Sequence, residues 1–209
     1  MYTLTQICLS EKVFNMKRLL LIIVLSLSFQ SLTKSDDVKD FQIEGMSTGE
    51  SLLDYMDEDA ILELINSKST NYYPNKSFVV FTYNNKNFKT YDNLGIVINP
   101  NDINYVIHSI EGTINMNDCR KKQLEISSDL KDFFSNKKYD FFSNKNMDYI
   151  DDKTGDSKVH YEDFLFKDNS AVRVICWEMS KKFLENGYKN SLVVAVNSKD
   201  FMSWIEENM

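Results

Sequence analysis

The chain has 209 residues, of which 31 are acidic and 24 basic, so that its net charge is −7. An acidic surface repels phosphate backbones, which disfavours nucleic acid as a partner. Six glycines in all leave little material for tight ligand-cradling loops, and no phosphate-binding glycine motif is present.

Residues 16–35 have the pattern of a cleavable secretory signal. Lys17 and Arg18 follow Met16, and an apolar run extends from Leu19 to Leu27. A charged start, an apolar stretch of roughly 7–15 residues and small residues before the cleavage point define such a signal. The run is too short to cross a bilayer, which needs about 20 apolar residues. We therefore predict export to the periplasm or the extracellular space, without stable membrane insertion; the alternative is a buried helix of the domain.

This signal divides the chain into four predicted parts. They are an upstream extension (1–15), the signal itself (16–35), a loosely held leader (36–46) and a single domain (47–209). Met16 is then the better translation start. Cleavage after residue 35 removes four of the 24 basic residues and one of the 31 acidic ones, leaving 20 and 30. The mature part is therefore more acidic than the whole chain.

The first half of the domain is predicted to contain two short helices followed by strands. Ser47 with Glu50 three residues later forms a capping box, and Asp57 can cap a second helix. Aromatic and β-branched residues, with alternation in the last segment, then predict strands. The expected helical region is 48–66, and the expected strands are 77–83, 88–91, 94–98 and 104–116.

The second half repeats the alternation of helix and strands. Asn117 can cap a long helix to about residue 134, and Ser198 or Asp200 can open a final one. The intervening strands are predicted at 158–166, 171–179 and 191–197, after a polar, irregular segment at 135–157. This order predicts the α+β class, with an antiparallel sheet and helices packed mainly on one face.

Two cysteines remain after cleavage, and both are predicted to face the core. Cys119 shares a helical stripe with Ile126 and Leu130. Cys176 alternates with Val174 on one face of a strand. In an oxidising compartment such a pair favours a disulfide, with separate buried thiols as the alternative.

The chain contains no recognisable catalytic motif, so we predict no catalytic residue, metal or cofactor. His160 and Glu162 would lie on one face of a strand, where they could form an acid–base pair or hold a metal. One histidine and one carboxylate do not make a site, because a catalytic zinc normally has three protein ligands. His108 lies mid-strand among apolar neighbours, which favours a structural role.

Arg173 and Trp177 share the opposite face of the strand that carries Cys176. They could bind an anionic or aromatic ligand, and the alternative is cross-strand packing. With His160 and Glu162 they complete the set of candidate ligand-binding residues.

Several segments resemble a group of small secreted proteins from marine alphaproteobacteria whose function is unknown. They are 40–47 (DFQIEGMS), 51–55 (SLLDY), 117–123 (NDCRKKQ) and 172–177 (VRVICW). Together with the signal segment, the resemblance spans nearly the whole mature chain. It implies export and a shared fold, and it carries over no catalytic residue.

The sequence favours a non-enzymatic exported domain that binds a protein or a small molecule. Export, the predicted disulfide and the lack of clustered reactive groups support this interpretation. The alternative is an exported hydrolase or metal-dependent enzyme that uses His160 and Glu162, and it requires a pocket in which further groups converge. An envelope-structural role is a third hypothesis.

Overall fold

The computed structural model describes Val38 and residues 41–209, all of which belong to one compact unit. The predicted upstream extension (1–15) and signal peptide (16–35) lie outside the described residues. Within this described part, the strands are β1 (Asn71–Tyr72), β2 (Val79–Tyr83), β3 (Asn93–Ile98), β4 (Ile107–Asn115), β5 (Tyr139–Asp148), β6 (Lys158–Phe166), β7 (Ala171–Glu178) and β8 (Ser191–Asn197). The α-helices are α1 (Glu58–Ile65), α2 (Cys119–Phe133), α3 (Lys181–Glu185) and α4 (Lys199–Asn208).

The strands form one antiparallel sheet in the order β1-β2-β3-β4-β8-β7-β6-β5. Each half of the chain supplies a four-stranded meander, and β4 pairs with β8 to join the two. Helix α2 connects the halves and packs across β6, β7 and β8. The predicted α+β class, with an antiparallel sheet, is therefore confirmed.

The two faces of the sheet differ in how they are covered. The face under α1 and α2 carries the main core, whose largest fully buried side chains include Phe81, Phe134 and Phe164. On the other face, α4 covers one end, where Phe201 packs on Phe78 and Val97. Buried apolar area is the main stabilising term in a fold of this size, so the first face carries most of the stability.

The segment that precedes the first helix differs from the loose leader expected from its sequence. Val38, Ile43 and Met46 are buried in the main core. The backbones of Ile43 and Met46 also exchange two hydrogen bonds, of 3.0 and 3.1 Å. These apolar side chains are too widely spaced to show a helix or strand period, which is why sequence patterning missed them.

The expected strand at 88–91 is an irregular segment with a bend at Lys89 and Thr90 instead. The carboxylate of Glu44 accepts hydrogen bonds from the backbone amides of Lys89, Thr90 and Tyr91. Those amides are thereby withdrawn from strand pairing. The contact spans more than 40 residues of sequence and could not be predicted from local propensity.

The segment 135–157, expected to be irregular, contains the ten-residue strand β5. It pairs with β6 along most of its length and lies at the edge of the sheet. Tyr139 and Phe141 of this strand pack against the main core. An edge strand with polar residues on both faces lacks the alternation by which strands are recognised, which explains the wrong prediction.

The remaining predicted elements are present, and their boundaries differ from the predicted ones by a few residues. Helices α2 and α4 are confirmed, and Ser198 caps α4 by accepting the amide of Phe201. Asp57 caps α1 through the amide of Ala60, whereas the region after Ser47 forms only a 3-10 turn at Leu52–Asp54. The short helix α3 was not predicted.

Strand β4 contains a bulge at His108. The register shifts between Val97 and Ile98 of β3, so Ile107 and Ile110 both face the main core. His108 instead packs edge-on against Phe78, with ring centroids 4.9 Å apart. Burial lowers the pKa of His108, opposed by the charges of nearby acids. This histidine has a structural position, as its apolar surroundings predicted.

Candidate functional site

The predicted disulfide is formed between the start of α2 and the end of β7. Cys119 and Cys176 are fully buried, and their Cα atoms are 5.4 Å apart. Cys119 is the first residue of α2, so the bond fixes the beginning of this helix on the sheet. The arrangement follows from the inward stripe of the helix meeting the inward face of the strand.

A buried glutamine strengthens the same junction one turn further along α2. The side-chain amide of Gln123 donates to the carbonyl oxygens of His160 and Val174, at 2.8 and 2.6 Å. Gln123 has no exposed surface, so these bonds satisfy an amide that would otherwise be costly to bury. The sequence did carry a signal for this role, because Gln123 follows the inward-facing Cys119 by four residues.

His160 lies opposite Cys176 in the sheet and is buried. Its Nδ1 atom accepts the backbone amide of Asn146 at 3.1 Å, and its Nε2 atom lies 2.8 Å from the carboxylate of Glu178. Because an amide N–H can only donate, Nδ1 carries no proton. Nε2 therefore carries the proton of a neutral ring and donates it to Glu178. Both nitrogen atoms of His160 are thus engaged.

Glu162 lies two residues further on, on the same face, with 3% of its side chain exposed. Its carboxylate is 3.2 Å from the guanidinium of Arg120 on α2 and accepts a hydrogen bond from Ser143 on β5. Arg120 also donates to the side chain of Gln123. The sequence correctly placed His160 and Glu162 on one face, but α2 covers that face.

The geometry of this buried cluster fits internal hydrogen bonding better than metal binding. Ligand atoms of His160, Cys176 and Glu178 lie within 4.8 Å of one another. The sulfur of Cys176 is bonded to Cys119, so it is no thiolate. Nε2 of His160 holds a proton, so its lone pair is not available to a metal.

The opposite face of the sheet carries the other two sequence-predicted residues. We define the polar strip as Glu111, Ala195, Arg173, Asp163 and Tyr161. The pairing places Glu111, Ala195, Arg173 and Asp163 in one row across β4, β8, β7 and β6. Gly95 on β3 precedes Glu111 in the same row.

Arg173 is held firmly within the polar strip. Its guanidinium makes two parallel hydrogen bonds to the carboxylate of Asp163, of 3.0 and 2.9 Å. It also lies over the ring of Tyr161, 5.7 Å from the centroid. The positive charge is therefore already paired, which disfavours the predicted use of Arg173 as an anion receptor.

Trp177 lies at the end of the polar strip, on the same face of β7 as Arg173. Its ring packs edge-on against Tyr149, with centroids 5.4 Å apart, and contributes to a small apolar cluster around Val159, Ile175 and Val193. Trp177 is half-buried in this cluster. The structure thus brings Arg173 and Trp177 to one face but separates both from His160 and Glu162.

The sequence analysis did not identify Glu111, which lies at the β4 end of the polar strip. Glu111 is half-buried in the middle of β4, and among residues 41–209 its carboxylate makes no hydrogen bond or ion pair. Burial raises the pKa of this carboxyl group, and the nearby positive charge of Arg173 opposes the increase. The available signal was an acidic residue in the middle of a predicted strand, next to Ile110, where burial of a lone charge is unfavourable.

Replacement of Glu111 by glutamine is expected to stabilise the protein at neutral pH. Because folding raises the pKa above its ordinary 4.5, the ionised carboxylate opposes folding at pH values above the raised pKa. The penalty vanishes below about pH 4, where both folded and unfolded states are protonated. Melting temperatures of the two proteins should therefore converge as the pH is lowered toward 4 and diverge, with E111Q higher, toward 8. Equal values at every pH would show that the carboxylate is not held unfavourably.

Two surface cavities lie away from both groups of residues. One, of about 260 Å³, is lined by Lys137, Lys138, Tyr139, Asp140 and Lys167. The other, of about 560 Å³, is lined by Thr154, Asp156, Ser180, Lys181, Lys182 and Glu185. None of the sequence-predicted site residues and no residue of the polar strip lines either cavity.

Comparison with known proteins yields no match to a protein-family model, a curated protein or a solved structure. The resemblance to secreted alphaproteobacterial proteins therefore stays a prediction. Within the described part of the chain, no helix combines the length and apolarity needed to span a membrane.

Proposed function

We propose that the chain is an exported, non-enzymatic binding domain and that the polar strip is its binding surface. The observation that carries this proposal is the half-buried carboxylate of Glu111, which has no hydrogen-bond or ion-pair partner among residues 41–209. A group held where it opposes folding is typical of a functional site. Aromatic and charged side chains beside it supply the other contacts that binding surfaces use.

The buried cluster supports a structural role for the residues that would otherwise suggest catalysis. His160 and Glu162 lie under α2, and each polar atom described above has a protein partner. Use of this pair as acid and base would require α2 to leave the sheet, although the disulfide and Gln123 hold it there. The hydrolase or metal-dependent enzyme is therefore the less supported alternative.

Two features support export: the signal-like pattern of residues 16–35 and the disulfide. Disulfides persist in oxidising compartments and are rare in the cytosol. A Cys119–Cys176 bond is thus compatible with the predicted signal peptide and with a periplasmic or extracellular location.

The proposal can be tested by titrating ¹⁵N-labelled residues 36–209 with a panel of chemically distinct probes. A suitable panel contains short capped lysine, glutamate, tryptophan and glycine peptides and a disaccharide. At least one probe should shift the amide signals of the polar strip, and none should be chemically converted. Shifts confined to other surfaces, or turnover that H160Q abolishes without unfolding the protein, would contradict the proposal.

A further inference from the structure

We infer that the polar strip receives a lysine or arginine side chain from a protein partner, with Glu111 as the group that binds it. This inference rests on the proposed function and specifies the chemistry of the same surface. Three observations support it: the charge balance of the strip, the small residues beside Glu111, and the position of the strip away from the two cavities described above.

The charge balance of the strip leaves one negative charge unmatched. Arg173 and Asp163 neutralise each other through their paired hydrogen bonds. Glu111, two strands away from Arg173 in the row, has no such partner among residues 41–209. A single positive charge from a binding partner would neutralise this net negative charge, whereas an anionic ligand would be repelled by it.

Small residues flank Glu111 on both neighbouring strands. Ala195 flanks it on β8 and Gly95 on β3. A methyl group built on Gly95 would lie 3.4 Å from a carboxylate oxygen of Glu111, so this carboxylate extends over Gly95. The side chain therefore extends toward β3, on the side away from β7 and Arg173.

An aromatic side chain lies on the same face, close to this position. Tyr73 packs in the cluster of Phe78, Val97 and Phe201, and Val97 follows Gly95 by two residues on β3. Burial raises the pKa of Tyr73 to about 12, and the negative charge of Glu111 adds to the increase. Tyr73 packs edge-on against Phe201 and Trp204 of α4. An ammonium or guanidinium group bound here would gain a charge-assisted hydrogen bond in a partly desolvated setting, beside an aromatic surface that favours cations.

The position of the strip away from the two cavities described above favours a protein over a small amine. Small molecules bind in concave pockets that cover most of their surface, and no residue of the polar strip lines either of the two cavities described above. A protein can instead cover a sheet face and place one basic side chain on Glu111. The acidic chain as a whole would also attract a basic partner from a distance.

The test uses the capped tripeptide acetyl-Lys-Lys-Lys-amide, with the norleucine tripeptide as an uncharged control of similar shape. ¹⁵N titration of residues 36–209 should show saturable shifts at Gly95, Glu111 and Ala195 with the lysine peptide only. The variant E111Q should weaken this binding by about tenfold, the value of one lost charge-assisted hydrogen bond. The variant E63Q, on the exposed side of α1, changes the net charge equally and should leave the affinity unchanged.

The outcomes separate the inference from the function on which it rests. Equal weakening by E111Q and E63Q would overturn the inference, because attraction would then depend on net charge alone. Binding of a glutamate or uncharged peptide to the strip in preference to the lysine peptide would also overturn it, while the proposed binding surface would stand. Binding of putrescine as tight as that of the lysine peptide would replace the protein partner by a small amine. Absence of shifts in the strip with every probe would contradict both.

Discussion

Removal of the Cys119–Cys176 disulfide is expected to lower the free energy of unfolding by about 4 kcal/mol. The bond joins residues 57 positions apart, and a loop of this length restricts the unfolded chain by roughly that amount in the chain-entropy estimate. The double variant C119A/C176A avoids an unpaired thiol. Urea denaturation of residues 36–209 should show a lower midpoint for this variant than for the oxidised wild type.

The reduced wild-type protein is the matched control for this prediction. It differs from the oxidised protein only by the broken S–S bond and two added hydrogens. Because it lacks the cross-link, as the double alanine variant does, the two should unfold at nearly the same urea midpoint. A midpoint for the reduced protein that equals the oxidised one would show that the bond contributes little. Helix α2 would then have to be held on the sheet by its other contacts alone.

Replacement of Arg120 by leucine is expected to destabilise the protein by about 3 kcal/mol. The carboxylate of Glu162 has 3% of its side chain exposed, and without Arg120 it keeps only the hydrogen bond from Ser143. A buried charge that loses its partner is strongly unfavourable. Equilibrium unfolding in urea measures the effect directly.

A second substitution distinguishes loss of the ion pair from loss of packing. If the unpaired carboxylate causes the effect, R120L/E162L should recover most of the stability lost in R120L. The variant K122L removes the exposed Lys122–Glu125 pair from the same helix and should change the stability by less than about 0.5 kcal/mol. A double variant at least as unstable as the sum of its two single variants would rule out this explanation.

The fold could be predicted from sequence wherever local pattern and burial agree. Helix α2 has an apolar stripe, and β7 alternates on one face, so the inward position of both cysteines followed from periodicity. The disulfide was favoured from that position together with the expected oxidising compartment, and the structure contains it. Strand β5 and the segment around Ile43 could not be predicted in this way. Each is held by contacts with distant parts of the chain, and each lacks a regular apolar period.

The candidate site was less accessible to sequence reasoning than the fold. Periodicity placed His160 and Glu162 together but could not show that α2 covers them. It also gave Arg173 the correct face of β7 without showing that Asp163 already neutralises it. Glu111 was missed because its carboxylate is distinguished by having no hydrogen-bond or ion-pair partner among residues 41–209, which local sequence does not record.

The central claim is that one face of the sheet serves stability and the other serves binding. It is tested most directly by measuring, for the same set of variants, both the urea midpoint and the dissociation constant for the capped lysine peptide. We predict opposite patterns: R120L lowers the midpoint and leaves the dissociation constant unchanged, whereas E111Q raises the midpoint and weakens binding about tenfold. A loss of stability in E111Q together with unchanged peptide affinity would contradict this division between the two faces.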